Sequence, residues 1–250
     1  MSVLALLWLL IGSADAATLS LKTSDGASVS ADAQGTGASG VVLVHGDGRT
    51  RADWVEVAAS LARKGHQVVA VDLRAKGASW STLDDAGRAA MVQDVAAAAA
   101  WLRGHGAKTI TLVGADAGAV VTLAAGAADP AVNNLVLISP RLSLPGLSLT
   151  NALSGWGARP VLLVAATGDA TGARAAAAIA EKATGRSKVT LVDGATVGAA
   201  LVRQDAVIEG TIAGWISTGG VDGTGASAAA VKAATASEVE TTGTRIGEDR

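Results

Sequence analysis

The sequence predicts an α/β fold built on a doubly wound, mostly parallel sheet. Short β-branched apolar runs without polar alternation recur along the middle of the chain, as is typical of strands covered on both faces. Longer segments with helical periodicity separate these runs, and this alternation predicts a parallel sheet with helices on both faces. The predicted strands are 41–44, 68–73, 110–113, 135–138, 161–164 and 189–192, and the predicted helices are 52–64, 84–103, 117–128, 171–184 and 198–216.

An antiparallel β-hairpin is predicted ahead of the parallel sheet, over residues 18–33. Apolar and polar residues alternate on both sides of Ser24-Asp25-Gly26, which is a typical turn sequence. Later in the chain, the connection at 141–158 shows no helical pattern and is too short to form a separate lid domain. We therefore expect an N-terminal hairpin and no large lid.

The N-terminal segment has the pattern of a secretory signal peptide. Residues 3–11 are apolar, and Ala14-Asp15-Ala16 follows as an A-x-A cleavage pattern, although no Lys or Arg precedes the apolar run. The run is about half of the roughly 20 residues that a membrane-spanning helix needs, so no stable membrane span is expected. We expect residues 1–16 to be removed and the protein to be periplasmic or extracellular; a buried N-terminal segment is the alternative.

The folded domain is expected to span residues 17–216. From 217 to 250 the composition changes to Gly, Ala, Ser and Thr with scattered charges, which is typical of a flexible low-complexity tail. Within that tail, 239–246 has the pattern of one late strand.

The composition excludes several classes of protein. A net charge of −2 over 250 residues, with no basic run, gives no electrostatic basis for binding nucleic acid. The absence of Cys excludes disulfide scaffolds, thiolate metal sites and a thiol nucleophile. Neither a phosphate-binding loop nor a dinucleotide fingerprint is present, so we expect no cofactor and no metal. The sequence contains three imidazoles, at His45, His66 and His105.

Polar motifs follow three of the predicted strands, at the edge where open α/β sheets bind ligands. They are His45-Gly46-Asp47, Asp72-Leu73-Arg74 and Gly114-Ala115-Asp116-Ala117-Gly118.

Together these motifs resemble the α/β-hydrolase superfamily, nearest to its compact esterases and dienelactone-hydrolase-like members, over residues 41–216. The resemblance implies that 114–118 is the strained strand-to-helix turn that presents a nucleophile, with Asp116 where esterases have Ser. It also implies that Gly114 and Gly118 allow close packing of the strand against the helix.

The resemblance further implies an oxyanion hole formed by the backbone N–H groups of Asp47 and Ala117. His45 and Gly46 would shape the turn beside that hole rather than take part in catalysis. Asp169 follows the next-to-last strand, where the family places the acid of its triad. The family's catalytic His follows the last strand, and here Val197 stands at its expected position.

Three interpretations of Asp116 stay open. In the first, Asp116 preserves the turn after catalysis has been lost, because Asp tolerates positive φ better than most residues. Alternatively, it attacks carbon as in dehalogenases and epoxide hydrolases, although no late His is present to hydrolyse the resulting ester. Finally, Asp47, Asp116 and Asp169 form a carboxylate cluster that recruits Ca²⁺ or Mg²⁺.

The function expected from these observations is binding or structural, with a small molecule or a protein at the former substrate cleft. A serine hydrolase needs a hydroxyl and an imidazole, and both are missing from their expected positions. The alternative is an active hydrolase that uses Asp116 as nucleophile or acid/base, assisted by Asp169, on an ester, epoxide or halide.

Other polar residues are expected to have structural roles. Ser139 would cap a loop, and Asp72 and Arg74 would order their turn as a local ion pair. His66 would occupy a solvated turn, and His105 would end a helix, where a cation suits the helix dipole.

Overall fold

The computed structural model describes residues 16–221. Apart from Ala16, the predicted signal peptide lies outside the described residues, as do the tail from 222 onward and the strand predicted at 239–246. The strands are β1 (Ala17–Lys22), β2 (Ser28–Gln34), β3 (Ser39–Val44), β4 (Gln67–Val71), β5 (Thr109–Ala115), β6 (Asn134–Ile138), β7 (Val161–Ala166) and β8 (Ser187–Val192).

These eight strands form one sheet in the order β1-β2-β4-β3-β5-β6-β7-β8. The hairpin strands β1 and β2 are antiparallel to each other, and β2 is antiparallel to β4. Strands β3 to β8 are parallel throughout. The predicted fold class is therefore confirmed, including the N-terminal hairpin and the absence of a large lid in the described part of the chain.

Residues 16–221 contain seven α-helices, five that connect strands and two that follow β8. They are α1 (Val55–Arg63), α2 (Asp85–Gly104), α3 (Ala117–Ala128), α4 (Leu149–Trp156), α5 (Ala170–Lys182), α6 (Ala199–Gln204) and α7 (Ala206–Ser217). None of the helices in this part of the chain is both long and apolar enough to cross a membrane.

Two helix predictions need correction. The connection at 141–158, predicted to be non-helical, contains α4, which is capped by the Ser148 hydroxyl and buries Leu153 and Trp156. Its eight residues are too few to establish a periodic pattern in the sequence. The helix predicted at 198–216 is two helices, because the backbone of Asp205 is extended and breaks the helical path. The Asp205 side chain then caps the N-terminus of α7.

The core lies in two layers, one on each face of the sheet. One layer contains residues of α2, α3, α4 and α5 with Trp80 and Trp156, and the other contains residues of α1, α6 and α7 with Trp54 and Trp215. In a chain without Phe or Tyr, these four buried indoles supply the large side chains that fill the two layers. Residues 41–44 of β3, buried on both faces, lie between the layers.

The described residues continue for five positions past 216. Helix α7 continues to Ser217, and the backbone N–H of Gly220 donates to the Trp215 carbonyl at 2.9 Å. The Arg186 guanidinium also donates to the carbonyl of Val221. These hydrogen bonds attach residues 220 and 221 to the rest of the described chain.

The ion pair expected between Asp72 and Arg74 does not form. Asp72 accepts hydrogen bonds from the backbone N–H and the guanidinium of Arg51. Arg74 instead pairs with the fully buried Asp94 of α2 at 2.7 Å and with Asp25 in the hairpin turn. Asp72 therefore binds the segment that follows β3, whereas Arg74 binds both α2 and the hairpin turn.

His66 is buried, which corrects the prediction of a solvated turn. Its Nδ1 lies 3.0 Å from the Ser39 hydroxyl and its Nε2 lies 3.4 Å from the Ser217 hydroxyl at the end of α7. Burial lowers the pKa of this imidazole, and the neighbouring Lys64 lowers it further. His105 lies at the C-terminal end of α2, as expected, stacked on Trp101.

We predict that acidification destabilises the fold in a manner that depends on His66. Because burial lowers the pKa of His66 and of His45 below about 6.5, the unfolded chain binds more protons than the folded chain as the pH falls below that value. The free energy of unfolding should therefore decrease as the pH drops from about 7 to about 5, and it should decrease less in His66→Gln. Urea denaturation across this range measures the difference.

The matched control for this prediction is His105→Gln, which removes an exposed imidazole instead of a buried one. An identical pH dependence in wild type and His66→Gln would show that His66 does not contribute.

Candidate active site

Asp116 occupies the sharp turn between β5 and α3. Its φ of 54° and ψ of −128° lie outside the helical and extended regions, in a conformation that few side chains adopt. The backbone N–H of Asp116 donates to the carbonyl of Ile138 at 2.9 Å, so the neighbouring strand β6 supports the turn. The structure thus places Asp116 at the turn where the resemblance to α/β-hydrolases located the nucleophile.

Close packing around the turn requires glycines at 46, 114 and 118. A Cβ at Gly114 would lie 2.1 Å from the Thr122 hydroxyl oxygen, and one at Gly118 would lie 2.1 Å from the carbonyl oxygen of His45. A Cβ at Gly46 would lie 3.0 Å from the Cβ of Asp116 and 3.2 Å from its Oδ2. The absence of side chains at these positions lets the loop after β3 approach the turn.

His45 is fully buried and uses both ring nitrogens in hydrogen bonds. Its Nε2 accepts from the backbone N–H of Leu73 at 3.0 Å, so the proton of a neutral ring is on Nδ1, which lies 2.8 Å from the Gly46 carbonyl oxygen. Burial lowers the pKa of His45, which favours this neutral form. The imidazole therefore joins the ends of β3 and β4.

The two residues expected to form the oxyanion hole lie on either side of Asp116. Ala117 is the first residue of α3, so its backbone N–H has no acceptor within the helix. The Asp47 carboxylate accepts from the backbone N–H of Trp80 at 2.7 Å, which fixes the loop after β3.

A cavity of about 400 Å³ opens beside Asp116. One part of its wall is charged and the other part, over residues 195–200, carries small and mostly apolar side chains. The charged residues are Asp47, Arg49, Asp53, Asp116 and Arg141.

Asp169 lies at a second, smaller cavity of about 120 Å³ that Asp116 also lines. Its Oδ1 accepts from the backbone N–H of Gly172 at 2.9 Å, so the carboxylate caps the N-terminus of α5. The structure therefore brings Asp116 and Asp169 to one cavity, with Asp169 also bound to its own helix.

Val197, the position predicted for the missing imidazole, lines both cavities and is 52% exposed. The next residue, Gly198, donates its backbone N–H to the Ser139 hydroxyl at 3.0 Å. Ser139 has a positive φ of 46° and is buried at the end of β6. Its hydroxyl therefore holds the loop that carries Val197 against the end of β6.

Arg141 is the site residue that the sequence analysis missed. Its Nε donates to Oδ1 of Asp116, and this hydrogen bond is the main reason why the pKa of the guanidinium is raised. The charges of Asp116, Asp169 and Asp47 raise that pKa further. In the sequence, Arg141 stands three residues after the end of β6. This position indicates a contact with Asp116 only if β6 is known to lie beside β5 in the sheet.

The described residues provide no group of three or more His, Cys, Asp or Glu side chains suited to hold a metal ion. Asp47, Asp116 and Asp169 are instead bound to Trp80, Arg141 and Gly172, respectively. The carboxylate-cluster interpretation therefore finds no support between residues 16 and 221.

Comparisons with known proteins agree with this geometry. The family model for the alpha/beta hydrolase fold matches residues 41–167, and a second model, described as TAP-like protein, matches 145–228. No curated protein matches the sequence. The chain belongs to the α/β-hydrolase family.

Solved structures show the same fold at low sequence identity. An esterase of Pyrococcus furiosus, Pf2001, is 16% identical and has a TM-score of 0.69, over 82% of this chain and 93% of its own. A dienelactone hydrolase from Anabaena variabilis is 18% identical with a TM-score of 0.66, over 83% and 97% of the two chains. The esterase domain of a Rhodothermus marinus protein is 16% identical with a TM-score of 0.64, over 80% and 97%.

We predict that Gly118→Ala destabilises the protein by about 1–3 kcal/mol or more, the range typical of overpacking. The added methyl group would meet the carbonyl oxygen of His45, which is backbone and cannot move alone. Urea denaturation measures the change.

Gly214→Ala is the control for this prediction. A methyl group added at this exposed helical glycine would have no atom within 4 Å, so stability should rise by up to about 1 kcal/mol. Equal effects at the two positions would contradict the packing argument.

Proposed function

We propose that this chain is a non-catalytic α/β-hydrolase that binds a ligand in the cleft beside Asp116. One observation carries the proposal: the side chain at the nucleophile position is a carboxylate paired with Arg141, and no imidazole of the described residues accompanies it. Both features oppose turnover, for separate chemical reasons.

The ion pair opposes attack by the carboxylate. A guanidinium bound to Oδ1 occupies an oxygen that would form the new bond and withdraws electron density from it. Attack on carbon by Asp116 would first require this pair to separate.

The missing imidazole opposes completion of a catalytic cycle. An ester formed on Asp116 from an epoxide or halide, or an anhydride formed from an ester with loss of the alcohol, must be hydrolysed by an activated water, which requires a general base. All three imidazoles of the sequence lie among the described residues. His45 joins β3 to β4, His66 contacts Ser39 and Ser217, and His105 stacks on Trp101, so none of them is placed to serve Asp116.

The dimensions and lining of the cleft support a binding role. Small-molecule sites typically enclose about 300 to 1,000 Å³ and combine apolar walls with a few polar groups. The larger cavity, of about 400 Å³, falls within this range and has both kinds of lining. A small molecule or a side chain of a partner protein would fit such a cleft.

The alternative function is an active hydrolase in which Asp116 is the nucleophile or the acid/base. The observation that favours it is the smaller cavity, where Asp169 and Asp116 share one lining. In that mechanism the Asp169 carboxylate would replace the imidazole as the base that activates water, on an ester, epoxide or halide.

The proposed function predicts no turnover. Purified protein incubated with short-chain aryl esters, an epoxide and a haloalkane panel should give wild-type rates equal to those of Asp116→Asn, which preserves the size of the side chain and its tolerance of positive φ. Intact-mass spectrometry of the same mixtures should detect either no adduct or a single stoichiometric adduct on Asp116 without product release.

Turnover by the wild type that is lost in Asp116→Asn would overturn the non-catalytic proposal and establish the alternative. In that case Asp169→Asn tests whether Asp169 is the general base as well as the cap of α5. The amide oxygen can still cap the helix, but an amide cannot take a proton from water.

We also propose that the protein is exported, on the basis of the apolar run at 3–11 and the A-x-A pattern that ends at Ala16. N-terminal sequencing of protein recovered outside the cytoplasm of an expressing bacterium should give Ala17 as the first residue. Ala16→Arg, which places a bulky charge at the cleavage site, should leave the uncleaved chain associated with the membrane. Recovery of the intact N-terminus in the cytoplasm for both proteins would exclude export.

A further inference from the structure

The two cavities beside Asp116 are neighbours that share part of their lining. Three residues line both cavities, namely Asp116, Arg141 and Val197. The Asp116–Arg141 ion pair therefore lies between a cavity of about 400 Å³ and one of about 120 Å³. Movement of Arg141 away from Asp116 would free space on both sides of the carboxylate.

The two partners of this ion pair differ in their freedom to move. The Asp116 side chain is 21% exposed and is carried by a backbone turn that packs against Gly46 and is bound to Ile138. The Arg141 side chain is 52% exposed. An ion pair with such an exposed partner contributes little stability, so Arg141 can leave the cleft for solvent at low cost, while Asp116 stays in place.

The charges around Arg141 favour a cation at its position. Besides Asp116, the carboxylates of Asp47 and Asp169 act on the guanidinium and raise its pKa. The other cation that lines the larger cavity, Arg49, donates through Nε and Nη2 to the two carboxylate oxygens of Asp53, at 2.6 and 2.7 Å. When Arg141 swings out, the cleft is left with a carboxylate that has lost its partner, and an anion would be repelled from it.

We propose that the cleft binds a small organic guanidinium or amidinium, which takes the place of Arg141 on the Asp116 carboxylate. This inference rests on the proposed function, because it assigns a ligand class to the same cleft. The Arg141 side chain is an intramolecular counterpart of the ligand: a planar cation held by Asp116 between the two cavities. The apolar body of the ligand would lie against the small side chains of residues 195–200.

Oδ2 of Asp116 is the atom left to complete a bidentate contact with such a ligand. Arg141 approaches through Nε and contacts Oδ1 alone. A terminal amidinium presents two parallel N–H donors, which match both oxygens of a carboxylate. A free ligand can therefore make a better-aligned pair with Asp116 than the tethered Arg141 side chain does.

The test is titration with benzamidine, followed by ¹⁵N-resolved NMR and calorimetry. Arg141→Met removes the competing guanidinium while leaving an unbranched side chain in its place, so it should bind benzamidine about fivefold more tightly than wild type, the gain expected when an exposed ion pair no longer competes. Asp116→Asn should abolish binding in the wild-type and Arg141→Met backgrounds. Arg49→Met is the matched control, because it removes a cation from the same cavity that does not pair with Asp116, and it should change the affinity by less than about threefold.

Two further ligands test the chemistry. Benzamide is the neutral isostere of benzamidine and benzoate is the anionic one, and neither should bind Arg141→Met measurably. The affinity for benzamidine should also fall as salt is raised, because the contact is between charges. Thermal unfolding of each variant verifies that it is folded before titration.

The inference is overturned if Arg141→Met binds benzamidine no more tightly than wild type does, or if benzoate is the preferred ligand. These results are independent of the turnover assay, because binding is measured without a reaction. If the protein proves to be catalytic while benzamidine still binds through Asp116, the proposed function fails and the ligand class stands, with benzamidine as a competitive inhibitor.

Discussion

At residue 116 the chain must reverse from a central parallel strand into a helix within a single residue. A non-glycine residue held at such a φ and ψ costs on the order of 1–3 kcal/mol, which the surrounding structure must offset. Here the hydrogen bond to Ile138 and the contacts of Gly114 and Gly118 hold the turn. The position of the cleft depends on this turn, because it places the 116 side chain between the loops that follow β3 and β6.

Strand order then determines which side chains meet Asp116. Because β5 lies between β3 and β6, the turn at 116 has the 46–47 loop on one side and Arg141 on the other. His45 immediately precedes that loop, yet its ring is turned into the core, where it bonds to Leu73. The same connectivity therefore brings a cation to the carboxylate and keeps the nearest imidazole in a structural role.

The sequence was sufficient to predict the sheet, because the β-branched apolar runs of β3 to β8 are local patterns, and the turn at Asp116 was implied by the resemblance to α/β-hydrolases. It was not sufficient for contacts between distant segments. The burial of His66 depends on Ser217, and the pairing of Arg141 with Asp116 depends on strand order. Helix α4 was missed because eight residues give too short a pattern, although its Ser148 cap is a recognisable start signal.

The electrostatics of the cleft bear on catalysis independently of the missing imidazole. Acyl transfer develops negative charge on the substrate oxygen, which hydrolases stabilise with N–H donors in a site free of competing anions. In this chain the carboxylates of Asp47 and Asp116 line the cavity where that oxygen would lie, and Asp169 lies at the adjoining one. Charges so placed would oppose the developing oxyanion, but they stabilise a bound cation, and Arg141 already has that role. Under the non-catalytic function proposed above, an imidazole introduced at 197 would therefore not by itself permit acyl transfer, because the field around residue 116 would still favour positive charge.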